Sequence, residues 1–186
     1  LTGGVANIGL AILESFVEEG AKVAIVDIDS ERGSKVEQRF PKAVKFFRAD
    51  LSSEAEVRSV VGKAADWLGG INTLCLNAGV QLSGNVSDFS VEAWDKVYDI
   101  NVRSSFIFVQ ESLTHLRKAK KSSVVMMSSL AGKRGAPGLT CYSSSKAAVI
   151  GMATTMAIEL AKDGITEDAE QRVRVAQGLF GHVPNR

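Results

Sequence analysis

A chain of 186 residues suits one domain with a sizeable core. Its 22 Lys and Arg balance 21 Asp and Glu to a formal net charge of +1, which leaves no field to hold a nucleic acid or an anionic membrane surface. The longest apolar stretch, around Ala147 to Ala153, falls well short of the roughly 20 residues that span a bilayer.

The first informative segment is Thr2-Gly3-Gly4-Val5-Ala6-Asn7-Ile8-Gly9, a glycine-rich turn opening straight into a helix. That helix carries Ile8, Ile12 and Phe16 at helical spacing and is stopped by Gly20. Backbone amides and the helix dipole at such a turn suit a pyrophosphate, although a ligand-free strand-to-helix turn has the same composition. Ala21 to Asp27 is a short apolar run without polar alternation, which is how a strand buried on both faces reads. A carboxylate at its end, Asp27, suits both hydroxyls of an adenosine ribose and repels a 2′-phosphate. Ile28 follows it, with no adjoining Lys or Arg, so NAD is expected in preference to NADP.

Ala43 to Asp50 is the second such run, and Asp50-Leu51 closes it. A helical pattern follows in Val57, Val60, Val61 and Ala64; then comes a third run, Ile71 to Asn77, ending in Asn77-Ala78-Gly79. Trp94, Val97 and Val102 predict another helix, with Asn101 as a polar group at a kink. Ser123 to Ser128 is the fourth run, closing on Ser128-Ser129, and Tyr142-Ser143-Ser144-Ser145-Lys146 begins a long helix with Ala148, Met152, Thr155 and Met156 on its apolar side. Strands alternating with helices predict βαβ units, right-handed crossovers and one doubly wound parallel α/β sheet, Rossmann-like, in a single domain. No repeat or linker divides it. In such sheets ligands bind at the carboxyl ends of the strands, where the polar residues named above cluster.

Tyr142 and Lys146 are four residues apart and share a helix face. A tyrosine normally holds its proton to about pH 10, so acid/base work near neutrality needs a neighbouring cation, which Lys146 is placed to supply. Surface pairs of this spacing are common helix decoration, so the pair gains meaning only from its company.

Taken together and in order, these motifs resemble the short-chain dehydrogenase/reductase family, and the resemblance covers nearly the whole chain. It rests on Thr2 to Gly9, Asp50-Leu51, Asn77-Ala78-Gly79, the Asn101 of Asp99-Ile100-Asn101-Val102, Ser128-Ser129, and Tyr142 with Lys146. The resemblance implies hydride transfer between a nicotinamide cofactor and a small secondary alcohol or ketone. It makes Tyr142 the acid/base, Lys146 the group that lowers its pKa and binds the nicotinamide ribose, Ser129 the donor to the substrate oxygen, and Asn101 the holder of a relay water. It places Gly3, Asn7, Ile8, Gly9, Asp27, Ile28, Asp50, Leu51, Asn77, Ala78, Gly79, Tyr142 and Lys146 on the cofactor. It also implies a homotetramer or dimer assembled through the helices around Trp94 to Leu116 and Tyr142 to Lys162. Asn7 departs from the family pattern by standing where the second glycine usually lies; asparagine tolerates left-handed geometry best after glycine.

Rival chemistries fare worse. A hydrolase would need Ser129 or Cys141 activated by histidine, yet His115 and His182 are the only two and no Gly-x-Ser-x-Gly elbow exists. Cys75 and Cys141 show neither a disulfide framework nor metal-ligand spacing, which points to a reducing, cytoplasmic setting without a metal site. A dinucleotide-binding regulator or scaffold without turnover is the remaining alternative. Finally, the chain reads as part of a longer one of about 250 residues, a common size for single α/β domains. The strand before Thr2 is reduced to Leu1, a core strand and part of a lid are expected between Ile165 and Thr166, and the last helix and strand are missing after Arg186.

Overall fold

The computed structural model describes residues 1–165. Strands β1 (Val23–Asp27) and β2 (Val44–Arg48) pair in parallel, Val23 opposite Val44. Strands β3 (Thr73–Leu76) and β4 (Ser123–Met126) do likewise, Thr73 opposite Ser123. Leu1 and Thr2 join the two pairs. The Leu1 amine donates to the Ala24 carbonyl (2.9 Å), Val26 N–H donates to the Leu1 carbonyl (2.9 Å), and Thr2 N–H donates to the Cys75 carbonyl (3.0 Å). Thr2 is bridged in parallel to both Val26 and Leu76. The sheet order is therefore β2, β1, Leu1–Thr2, β3, β4, with all neighbours parallel, as the uninterrupted apolar runs require.

Parallel neighbours need crossovers, and helices supply them: α1 (Asn7–Glu18), α2 (Ser30–Arg39), α3 (Glu54–Leu68), α4 (Val91–Tyr98) and α5 (Ser104–Lys118). The last, α6 (Thr140–Leu160), follows β4. Alternation along β1 feeds two cores. Val23 and Ile25 pack with Leu13 of α1, Val36 of α2 and Val44. Val26 instead packs with Val57 and Val61 of α3, Ile107 and Phe108 of α5, and Val149 and Ala153 of α6. Both faces of the sheet are thus covered, the doubly wound arrangement the sequence predicts.

Several local readings need correction. The buried anchor of α1 is Leu13, not the Ile8, Ile12 and Phe16 row; Ile8 is 46% exposed because it stands at the mouth of a cleft. In α6 the buried row is Ser145, Val149 and Ala153, and Thr155 faces outward. Helix α2 gave no apolar pattern because only Gly33 and Val36 are buried in it. It is held by Asp29, whose carboxylate accepts from Arg32 N–H (2.9 Å), and by a glycine at 33, where a Cβ would lie 2.3 Å from the Phe46 ring. The kink expected at Asn101 is a π-helical turn, Asp99–Arg103, between α4 and α5. The junction at Thr166 and everything after it lie outside the described residues.

Candidate active site

The carboxyl ends of β1, the Leu1–Thr2 segment, β2 and β3 open into a cleft of about 380 Å³. Gly3, Asn7, Ile8, Gly9, Asp27, Ile28, Asp50, Leu51, Asn77, Ala78 and Gly79 all line it. Tyr142 and Lys146, from the same expected set, are not among its lining residues.

The glycine turn forms one wall. Gly3 has φ +68°, which glycine adopts without steric cost, and Asn7 at φ +49° is the one non-glycine residue with positive φ among the described residues. At Gly9 an added Cβ would lie 1.8 Å from the Gly3 carbonyl oxygen, so only glycine lets the turn close on itself. Thr2 and Asn77 lock this turn to β3. Thr2 Oγ1 accepts from the Asn77 and Ala78 amides (3.1 and 3.0 Å), and Asn77 Nδ2 donates to the Thr2 and Gly3 carbonyls (3.2 and 3.1 Å). The N-terminus of α1 has no side-chain cap: Ala6 stands at the N-cap, and no acid occupies the first turn. Helices α2, α3 and α4 are capped by Asp29, Ser53 and Ser90. The first amides of α1 are thereby left with the positive end of the helix dipole facing the cleft.

The two strand-end acids differ. Asp50 Oδ1 accepts from the Ser52 amide (2.9 Å) and hydroxyl (2.7 Å), and these bonds, the amide first, hold its carboxyl below the ordinary carboxylate range. Among the described residues Asp27 Oδ1 accepts only the Asp29 amide (3.1 Å), with Ile28 exposed beside it.

Beyond Gly79 lies a second constellation. Ser128 is buried and its hydroxyl donates to the Lys146 carbonyl (2.8 Å); the Lys146 ammonium donates to the Met127 carbonyl (2.8 Å). The short 3₁₀ turn Leu130–Gly132 then lies directly on α6: a Cβ at Gly132 would be 2.8 Å from the Lys146 carbonyl carbon. Ser129 is half-buried, and its Oγ accepts from Ala131 N–H (3.2 Å), which leaves its own hydrogen without an acceptor among the described residues. Lys146 Nζ sits 5.9 Å from the centre of the Tyr142 ring, and a Cβ on Gly79 would come within 3.1 Å of it. Burial of Lys146, 4% exposed, pushes its pKa down to about 8. The structure therefore brings Gly79, Lys146 and Tyr142 to one place, with the segment carrying Ser129 fastened to the same helix turn.

Asn101, in the π-helical turn, is held by its side chain. It is fully buried, and its side chain is engaged throughout: Oδ1 accepts from Val80 N–H (2.8 Å), and Nδ2 donates to the Val80 carbonyl (2.9 Å) and to Ser145 Oγ (3.0 Å). Its main-chain carbonyl accepts from Ser105 Oγ (3.4 Å). Sequence reasoning gave no role to Val80 or Ser145, and named Ser128 only as the neighbour of Ser129. Their one signal was position, immediately after Gly79, before Ser129 and before Lys146. Cys141 is buried, as a small packed residue would be.

A protein-family model described as short chain dehydrogenase matches residues 1–169. The chain belongs to this family. It is 34% identical over 99% of its length to (+)-borneol dehydrogenase 2 of Salvia officinalis and 31% identical over 91% to 2-(S)-hydroxypropyl-CoM dehydrogenase 3 of Xanthobacter autotrophicus. It is 32% identical over 91% to galactitol 2-dehydrogenase of Agrobacterium fabrum. The chain spans about two thirds of these relatives, 67%, 68% and 66% of their lengths. A short-chain dehydrogenase from Streptomyces avermitilis shares the fold at a TM-score of 0.84 and 24% identity, over 89% of this chain and 61% of that one. No helix among the described residues is long and apolar enough to cross a membrane.

Proposed function

We propose that the chain is the NAD-dependent catalytic part of an oxidoreductase that interconverts a small secondary alcohol and a ketone. The observation that carries this reading is the meeting of a buried lysine, Lys146, with Tyr142 beside Gly79, a residue of the glycine-walled cleft. The cleft suits a dinucleotide: the uncapped amides of α1 answer a pyrophosphate, Asp27 answers a ribose diol, and Asp50-Leu51 and Asn77-Ala78-Gly79 complete the walls. When bound, the nicotinamide cofactor supplies the hydride exchange.

The chain's own residues do the rest. In reduction the Tyr142 phenol gives its proton to the substrate oxygen, and in oxidation it takes that proton away. The Lys146 ammonium, held on the Met127 carbonyl, stabilises the phenolate and keeps donors available for a ribose. Ser129 donates its free hydroxyl hydrogen to the substrate oxygen as negative charge develops there. Asn101 fixes Val80 and Ser145 with its side chain. Homo-oligomerisation through the α5 and α6 faces belongs to the same reading, since Phe106 and Ile158 stand exposed there. A reducing, cytoplasmic compartment suits its two free, buried cysteines.

The test is absorbance of the reduced cofactor with a panel of secondary alcohols, NAD and NADP side by side. A higher kcat/KM with NAD is expected, and Asp27→Ala should narrow that preference at least tenfold, about 1.4 kcal/mol of differential binding. Faster wild-type turnover with NADP would overturn the Asp27 assignment. Binding of NAD without turnover on any alcohol would favour a regulator or scaffold.

A further inference from the structure

We propose that Ser145 is a positioning residue that ties the Tyr142–Lys146 helix turn to the cofactor-facing loop after β3, an inference that rests on the dehydrogenase reading above. Ser145 has no exposed surface. Its hydroxyl donates to the Tyr142 carbonyl (2.8 Å) and accepts from Asn101 Nδ2 (3.0 Å). Asn101 in turn grips Val80 at both its N–H and its carbonyl. One chain of hydrogen bonds, buried at its Asn101–Ser145 link, thus runs from Val80, next to Gly79 on the cleft wall, through the π-helical turn to the backbone of the catalytic tyrosine.

Each link is matched to its neighbours. The two Asn101 amide hydrogens have two acceptors, its Oδ1 has one donor, and the Ser145 hydroxyl serves once as donor and once as acceptor. The π-helical turn is what brings Asn101 into line, since the extra residue per turn rotates its side chain off the α-helical register. Without Ser145 a buried amide hydrogen loses its acceptor, and the helix turn carrying Tyr142 and Lys146 loses its tie to Val80. Ser128, bonded to the Lys146 carbonyl, fixes the same turn to β4 but not to the loop.

Neighbouring Ser144 is the internal control, because its hydroxyl makes the same local bond, to the Cys141 carbonyl (2.9 Å), without a partner outside the helix among the described residues. The experiment compares Ser145→Ala, Ser145→Cys and Ser144→Ala. Amide hydrogen exchange at Val80 reads the tie directly and needs no turnover. Steady-state kinetics with saturating NAD and a titrated NAD Kd read its catalytic consequence. In Ser145→Ala, Val80 exchange should quicken about tenfold and kcat should fall about tenfold, while NAD Kd stays within twofold. Ser145→Cys, which fills the space with a poor acceptor, should follow Ala, whereas Ser144→Ala should resemble wild type. Unchanged Val80 exchange in Ser145→Ala, or an equal kcat loss in Ser144→Ala, overturns the proposal. A wild-type protein that turns over no alcohol removes the dehydrogenase reading instead, and the Val80 exchange still decides whether the tie exists.

Discussion

Helices α3 and α1 begin at equivalent places, each just after a strand end, yet they are finished differently. The start of α3 is closed: Ser53 Oγ accepts from Glu56 N–H, and Glu54 and Glu56 offset the dipole. The start of α1 has neither cap nor acid. The same contrast recurs between adjacent serines, Ser128 bonded inward to the Lys146 carbonyl and Ser129 keeping its hydrogen, and between Asp50, tied by Ser52 at two points, and Asp27, tied at one. In each of these pairs one member's polar groups find partners within the chain. The freer members, the first amides of α1, Ser129 and Asp27, lie at the carboxyl ends of the strands, where a ligand can engage them.

Tyr142 is the sharpest instance, and its removal should have the largest effect. Its main chain accepts from Ser145, while its phenol makes no hydrogen bond among the described residues. Tyr142→Phe should therefore lower kcat by about 10²- to 10⁴-fold, the range a lost general acid/base gives, with NAD Kd and thermal stability nearly unchanged. Retention of most of kcat would take Tyr142 out of its role.

The serine pair should separate next. Ser129→Ala removes an open donor and should lower kcat/KM by about 10²- to 10³-fold with little loss of stability. Ser128→Ala removes an engaged donor and should cost on the order of 1 kcal/mol in chemical denaturation. Activity and stability losses of equal size in the two variants would abolish the distinction between them.

Much of this was legible because parallel strands buried on both faces leave unbroken apolar runs, and the four runs ending at Asp27, Asp50, Asn77 and Ser128 became β1 to β4 in that order. The residues at their ends were legible for the same reason: a run that stops on Asp, Asn or Ser marks a strand's carboxyl end. Side-chain direction was harder to read. Spacing alone could not tell that Ile8 faces a cleft while Leu13 faces the core, nor that Ser145 and not Thr155 lies on the buried row of α6. Helix α2 was hidden because it rests on the sheet through a glycine and one valine, Gly33 and Val36, so its sequence is almost wholly polar. The Asn101 network was hidden because it depends on a π-helical turn, whose single extra residue leaves no mark in an apolar period.

The smallest effect tests the central contrast most directly, by closing the start of α1 as α3 is closed. Ala6 already has the extended backbone of an N-cap residue, φ −155° and ψ 164°, and it lines the cleft. Ala6→Ser would place a hydroxyl oxygen where it can accept from the amides of Ile8 or Gly9, which should stabilise the free protein by about 0.5–1 kcal/mol. Those are the amides assigned to the pyrophosphate, so NAD affinity should fall several-fold while kcat at saturating cofactor holds. Ala6→Asp should go further, because its carboxylate both caps the helix and repels the phosphates. The two measurements must move in opposite directions. Thermal stabilisation with an unchanged NAD Kd would mean that the open amides of α1 are not where the cofactor binds.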